Sequence, residues 1–168
     1  MGADDGARPV ADSQTQLAVW MGPLHSNSAG FVHGGAVMRL CDEAAGLASV
    51  KHSRSRVVTA GVDRMTFLDP VHVGQLVTVR ATVNAAWRTS MEVGVRVESE
   101  HVRSREVAHT STAYLTMVAL DHDGRPAPVP SLAPETPEER RREQEAQLRR
   151  DNRLAEREAI ISARGEHP

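Results

Sequence analysis

The apolar positions of the chain change period once, and that change divides the sequence. From Arg56 onward they recur every second residue. Val58, Ala60 and Val62 alternate with Thr59, Gly61 and Asp63. The apolar phase then slips to Met65 and Phe67, which predicts a bulge near Arg64. Asp69-Pro70 ends this strand. Leu76 to Ala85 alternates strictly, with Val77, Val79, Ala81, Val83 and Ala85 on one face. Met91, Val93, Val95 and Val97 repeat the pattern against Glu92, Arg96 and Glu98. Val107 to Leu120 gives a last long strand, diluted by His109 and Ser111 on its Val107/Ala113 side. Long alternating strands in succession predict an antiparallel sheet with one buried and one wet face. A shorter strand, Thr15 to Met21, precedes them, with Leu17, Val19 and Met21 on one face.

Between that first strand and Arg56 the period is helical. From about Gly34 to Val50, the residues Val37, Leu40, Cys41, Ala44, Leu47 and Ala48 follow the i, i+3, i+4, i+7 spacing of an amphipathic helix. At 100° per residue Asp42 lies about 140° from the centre of this stripe, outside the core face. Ala44, Ala45, Gly46, Ala48 and Ser49 are small enough for a sheet to pack closely. One helix followed by four strands therefore predicts an α+β domain whose sheet wraps around a central helix.

The ends of the chain differ from this centre. Residues 1–13 are small, polar and contain Pro and Gly, and are expected to form a disordered N-terminal arm. The domain proper is expected over 14–133 and a C-terminal helical extension over 134–168. Pro126, Pro128, Pro130, Pro134 and Pro137 stiffen the exit. Thr136-Pro137-Glu138-Glu139 carries the signals of a helix start. The helix of about 138–162 is highly charged, with eight Arg against nine Asp/Glu in residues 134–168, and is expected to be solvated and docked on a neighbouring surface.

Composition narrows the function. The 168 residues suit one domain. A net charge of −2 argues against DNA or an anionic membrane as a bulk electrostatic partner. No run reaches the ~18 apolar residues of a membrane span, and no signal core opens the chain, so a cytoplasmic protein is expected. The single cysteine, Cys41, falls on the apolar stripe and is expected to be buried and inert. All basic residues but Lys51 are arginine. No zinc spacing, Gly-x-Ser-x-Gly elbow, phosphate loop or dinucleotide motif is present, so neither metal nor cofactor is expected.

The candidate chemistry lies at the helix start, in Asn27-Ser-Ala-Gly30-Phe-Val-His33-Gly34-Gly35 and the helix after it. Loop glycines let backbone N–H groups approach a ligand, and the first helical turn has unpaired N–H groups and a partial positive charge. Such a place can hold a carbonyl oxygen that becomes an oxyanion. Asp42 follows about 10 Å along the helix at 1.5 Å per residue. Its carboxylate can attack an acyl carbon or deprotonate a water that does. Asn27 can orient that water or hold the carbonyl. His33 can exchange a proton or cap the helix, and capping is the preferred reading. Asp63, Asp69 and Glu92 read as strand-edge or sheet-face charges, and His72, His101 and His122 as turn or exposed residues. Arg54, Arg56, Arg64, Arg103 and Arg105 are candidate partners for phosphate.

The set Asn27-x-x-Gly30-x-x-His33-Gly34-Gly35 with Asp42-Glu-Ala-Ala-Gly resembles the active-site loop and helix of hot-dog-fold acyl-CoA thioesterases. The likeness continues through Val58-Thr59-Ala60-x-Val62-Asp63, Arg88-Thr89-Ser90-Met91-Glu92-Val93 and Val129-Pro130-x-Leu132-x-Pro134. It looks like the broad-specificity and long-chain cytosolic acyl-CoA hydrolases, the brain type included. The resemblance implies a hot-dog fold with five or six antiparallel strands around the helix. It also implies hydrolysis of acyl-CoA to free acid and coenzyme A, with no cofactor. A homodimer with a continuous sheet, assembling into a hexamer, is implied as well. Asp42 would be general base or nucleophile, Gly34 and Gly35 would polarise the carbonyl, and Asn27 would meet Asp42 across the dimer. Arg88, Thr89 and Ser90 would contact coenzyme A, with Thr59 along the pantetheine path. A hot-dog hydratase is disfavoured because Leu47 stands where that branch carries a histidine. The alternative to a hydrolase is a non-catalytic acyl-CoA-binding sensor or subunit on the same fold.

Overall fold

The computed structural model describes residues 6–165. Strand β1 (Arg8–Pro9) leads through a short 3₁₀ turn to β2 (Thr15–Trp20), and the helix α1 (Gly34–Ser53) follows. Strands β3 (Arg56–Phe67), β4 (Leu76–Ala86), β5 (Ser90–His101) and β6 (Glu106–Leu120) come next. Strand β7 (Leu132–Ala133) and helix α2 (Pro137–Arg164) close the chain. Five strands form one antiparallel sheet in the order β2-β4-β5-β6-β3, as the alternating pattern predicts.

The alternation works because one face of the sheet is dry. Val77, Val79, Ala81 and Val83 of β4, Met91, Val93, Val95 and Val97 of β5, and Ala113, Leu115 and Met117 of β6 are buried together against α1. The helix contributes Val37, Cys41, Ala44, Ala45 and Ala48. Three alanines in two turns let the helix axis come close to the sheet, where larger side chains would hold it off. The buried face is rotated from the expected stripe. Leu47 is 47% exposed, while Ala45, Ser49 and His52 are buried. Small size decides: Ala45 and Ser49 fit under the curled sheet, and Leu47 is left on the far flank. Asp42 lies off the core, as its angle predicts.

Strand β3 is the edge of the sheet, paired only with β6. Its register shifts at two places, between Thr59 and Gly61 and between Val62 and Arg64. The second is the bulge expected near Arg64; the first has no counterpart in the apolar pattern. Val58, Val62 and Phe67 remain about half exposed.

The expected disordered arm is corrected for residues 8–13; residues 1–5 lie outside the described residues. Strand β1 pairs in parallel with β7, so the proline-rich exit is held rather than loose. Val10 enters the core. The Ser13 hydroxyl donates to the Val10 carbonyl (2.7 Å) and accepts from the Val83 amide (3.0 Å). Arg8, buried, donates to the carbonyl of His52. Backbone pairing and one buried valine order a segment whose composition alone does not.

Helix α2 begins at the expected cap, with Thr136 Oγ1 accepting from the Glu139 amide (3.2 Å) and the Glu139 carboxylate accepting from the Thr136 amide (3.0 Å). It buries only Ala146 and is held on the outer sheet face by its arginines. Arg149 donates to both oxygens of the fully buried Glu92 (Nη2–Oε1 2.7 Å, Nε–Oε2 3.0 Å) and stacks 3.8 Å from the Tyr114 ring centroid. Arg150 covers Trp87, whose indole N–H donates to Gln147 (2.8 Å), and Arg153 pairs with Asp63. Glu92 and Asp63 are thus sheet-face charges, as expected, with partners on α2. No helix among the described residues is long and apolar enough to cross a membrane.

Two predictions follow from these buried polar groups. Removing one partner of a buried ion pair strands the other, so Arg149→Met should destabilise the fold by about 3–5 kcal/mol, and the double change Arg149→Met/Glu92→Met should recover most of it. Equal destabilisation of both variants in urea titrations would contradict this. His52 donates from Nε2 to the Pro130 carbonyl (2.9 Å), while its buried Nδ1 has no hydrogen-bond partner. Burial, reinforced by the Arg8 charge, holds its pKa below the ordinary imidazole value, against an opposing pull from the Pro130 carbonyl. The unfolded chain therefore takes up this proton first. Stability from neutral His52 is present above about pH 6.5, the unfolded value, and declines as pH falls below it. Urea midpoints measured from pH 7 to 5 should fall less steeply in His52→Gln than in the parent chain.

Candidate active site

The loop before α1 is shaped by Asn27. Its side-chain oxygen accepts from the amides of Ala29 (2.9 Å) and Phe31 (3.1 Å), and its own amide donates to the Phe31 carbonyl (2.7 Å). Gly30 takes φ of 82°, which favours glycine at this tight turn. With its oxygen committed to the loop, Asn27 presents its Nδ2 amide, a donor. The loop is then tied across at Val32, whose amide donates to the Val71 carbonyl (2.8 Å), and at His33, whose amide donates to the His25 carbonyl (2.7 Å).

His33 caps the helix, as preferred from the sequence. Its Nδ1 accepts from the Gly35 amide (3.0 Å), and its carbonyl accepts from the Ala36 amide (2.8 Å). Of the two glycine amides expected to face a carbonyl, Gly35's is therefore occupied by the imidazole. The Gly34 amide makes no hydrogen bond among the described residues. The Phe67 ring lies over Gly34, 3.4 Å from where a Cβ would stand, at van der Waals contact distance.

Asp42 stands on the exposed flank of α1. The Thr59 hydroxyl donates to its Oδ1 at 2.5 Å. One carboxylate oxygen is thereby fixed and the other left for solvent or a ligand. The resemblance implies that Thr59 lines the pantetheine path; in the structure its hydroxyl meets Asp42, beside the first bulge of β3. No signal in the sequence joins two residues 17 positions apart on different elements. Asn27 and Asp42 of one chain share no hydrogen bond.

Arg88, Thr89 and Ser90 form the β4–β5 turn. The turn is closed by the Trp87 amide on the Ser90 carbonyl (2.8 Å) and pinned by the Ala119 amide on the Thr89 carbonyl (3.1 Å) and the Val129 amide on the Arg88 carbonyl (3.0 Å). Ser90 aligns with Val118, and Val118 with Val58, so the turn lies at the same end of the sheet as Thr59. The Ser90 hydroxyl accepts weakly from Arg150 (3.4 Å), while Arg88 is exposed. Burial, then the Asp42 charge, pushes the Cys41 thiol up to about 12, which excludes it as a nucleophile near neutrality. Among the described residues, the one cluster with metal-ligand character is Asp121, His122 and Asp123 in an outlying, largely exposed turn.

The model of the thioesterase superfamily matches residues 29–105, the span that carries this site. The cytosolic acyl coenzyme A thioester hydrolase of Rattus norvegicus is 37% identical over 142 residues, covering 83% of this chain. The chain spans 37% of that relative's length. Among solved structures, an apo-hexameric acyl-CoA thioesterase superposes with a TM-score of 0.87 at 38% identity, covering 90% of this chain and 97% of the other. The acyl-CoA hydrolase of Staphylococcus aureus, solved with butyryl coenzyme A, coenzyme A and coenzyme A disulfide, gives 0.85 at 30% identity over 94% and 96%. That hydrolase has also been solved with an asparagine, an aspartate and a threonine each changed singly to alanine. This chain belongs to the hot-dog thioesterase superfamily.

Proposed function

We propose that the protein hydrolyses the thioester of acyl-CoA, releasing a free acid and coenzyme A. The observation that carries the reading is the exposed Asp42 carboxylate, fixed by Thr59 on the same helix whose start offers the free Gly34 amide. Either Asp42 deprotonates a water that adds to the carbonyl carbon and expels the thiolate, or the Asp42 carboxylate itself displaces the thiolate and water then cleaves the resulting anhydride, releasing the acid and freeing Asp42. The carbon–sulfur bond breaks, and the proton passes to the thiolate or its solvent. Negative charge on the carbonyl oxygen is held at the helix start, where the Gly34 amide is ready and the Gly35 amide becomes available if His33 releases it. The β4–β5 turn, with Arg88, Thr89 and Ser90, receives the coenzyme. The relatives solved with coenzyme A ligands support this assignment, as does the presence of the residue types of Asn27, Asp42 and Thr59 among the positions changed in the Staphylococcus hydrolase.

The reading includes a partner. Asn27 makes no bond to Asp42 in its own chain, and β3 offers an unpaired edge. Val58, Val62 and Phe67 on β3 and Met38, Leu47 and Val50 on α1 are 43–51% exposed. An exposed apolar edge strand pairs readily with another chain. Pairing β3 with β3 of a second copy would cover this surface and bring Asn27 of one subunit toward Asp42 of the other. Such dimers could assemble further, as in the hexameric relative.

Release of free thiol from a panel of acyl-CoAs tests the chemistry. Asp42→Ala should lower turnover on the order of 10²-fold or more, the scale of an acid–base group. Thr59→Val should lower it about tenfold, the scale of one hydrogen bond to a charged group. Turnover unchanged in Asp42→Ala would sink the assignment, and acyl-CoA binding without thiol release would make the protein a sensor on the same fold.

A further inference from the structure

On the opposite face of the sheet from Asp42, a groove of about 650 Å³ runs between the strands and α2. Its floor contains an unusual pairing. The register aligns Gln16 with Arg80, Arg80 with Arg96, and Arg96 with Thr112, one row across β2, β4, β5 and β6. Two arginines thus stand directly opposite each other on adjacent strands, an arrangement that like-charge repulsion disfavours. A single carboxylate, Glu98, serves both. Its Oε1 accepts from Arg96 Nε (2.8 Å) and its Oε2 from Arg80 Nη1. The two guanidiniums hold the Glu98 carboxyl ionised well below its usual range, yet one negative charge still faces two positive ones.

From above, α2 adds Arg141, Arg142 and Arg149 to the same groove, with Glu145 the one carboxylate in its lining. Arg149 is committed to Glu92. Arg141 and Arg142 are tied to Glu145 and Glu138 one helical turn away, in exposed pairs that are weak in water and re-partner easily. Both terminal nitrogens of Arg96, Nη2 of Arg80, and Nε with one terminal nitrogen on each of Arg141 and Arg142 make no hydrogen bond among the described residues. The groove therefore holds many donors and a surplus of positive charge over the Arg80–Arg96 row. The matching ligand accepts only and carries more than one negative charge. Phosphate oxygens fit guanidinium forks in this way, and the volume lies within the range of about 300–1,000 Å³ for small-molecule sites.

We infer that this groove binds a small molecule bearing a diphosphate group, held between the Arg80–Arg96 row of the sheet and the Arg141–Arg142 pair of α2. This assignment is independent of thioester hydrolysis. Calorimetric titration of sodium pyrophosphate into the full-length protein should give saturable binding. That binding should weaken at least tenfold in Arg80→Gln/Arg96→Gln. It should also weaken severalfold in Arg142→Gln, a change at the groove wall formed by α2 that removes no residue of the core. Succinate, a carboxylate dianion, should bind at least tenfold more weakly than pyrophosphate. Competition separates the sources: displacement by adenosine diphosphate but not coenzyme A assigns a free nucleotide, and displacement by both assigns the nucleotide end of a coenzyme. No saturable binding, affinity unchanged in both variants, succinate as tight as pyrophosphate, or displacement by neither competitor would overturn the inference.

Discussion

The structure depends on how closely one helix can approach one sheet. Around Ala44, Ala45 and Ala48 only methyl groups stand between the axis of α1 and the valine-rich sheet face, with Val37 and Cys41 filling the space nearer the helix start. The sheet can therefore curl around the helix and still exclude water. The flank of α1 that the sheet does not reach is left for polar and exposed side chains. Asp42 is on that flank, and so are Met38, Leu47 and Val50. Replacing one of these alanines with a larger residue would push the helix outward and shift Asp42 relative to Thr59, which is fixed on the sheet.

The same geometry explains why the site is open. Strand β3 ends the sheet, bulges twice and keeps its apolar side chains half exposed, and α2 reaches it through the Arg153–Asp63 pair without covering them. The far edge is treated differently. There β1, β7 and the Ser13 turn close the end of the core, and α2 covers part of the outer face through the Glu92–Arg149 pair. One side of the domain is sealed with polar contacts, and the other is left apolar and unpaired. That asymmetry suits a site shared between two copies of the chain.

Much of this was legible in the sequence, for reasons of period. Alternation at Val77–Val83 and Met91–Val97 specifies which face is dry, and helical spacing around Val37, Cys41 and Ala44 specifies the enclosed helix. The cap at Thr136 and Glu139 is local and equally clear. Contacts set by register were not legible. Thr59 meets Asp42, and Arg80 stands opposite Arg96, only because of where strands are paired and bulged. Size mattered where periodicity is silent, so Leu47 counted as core until the tighter fit of Ala45 excluded it. Residues 8–13 looked like a loose arm because their order comes from pairing with Leu132 and Ala133, more than 120 positions away. His33 was identified as a cap, yet its consequence, an occupied Gly35 amide, requires coordinates.

The most direct measurement mixes two inactive variants, Asn27→Ala and Asp42→Ala, under conditions of subunit exchange and follows acyl-CoA hydrolysis. If each site takes Asn27 from one subunit and Asp42 from the other, a mixed dimer has one intact and one doubly altered site. Random exchange should then restore about a quarter of the parental activity, since half the dimers are mixed and each has one good site of two. No recovery, with exchange confirmed by mass spectrometry of differently tagged subunits, would contradict the shared site and place the whole reaction within a single chain.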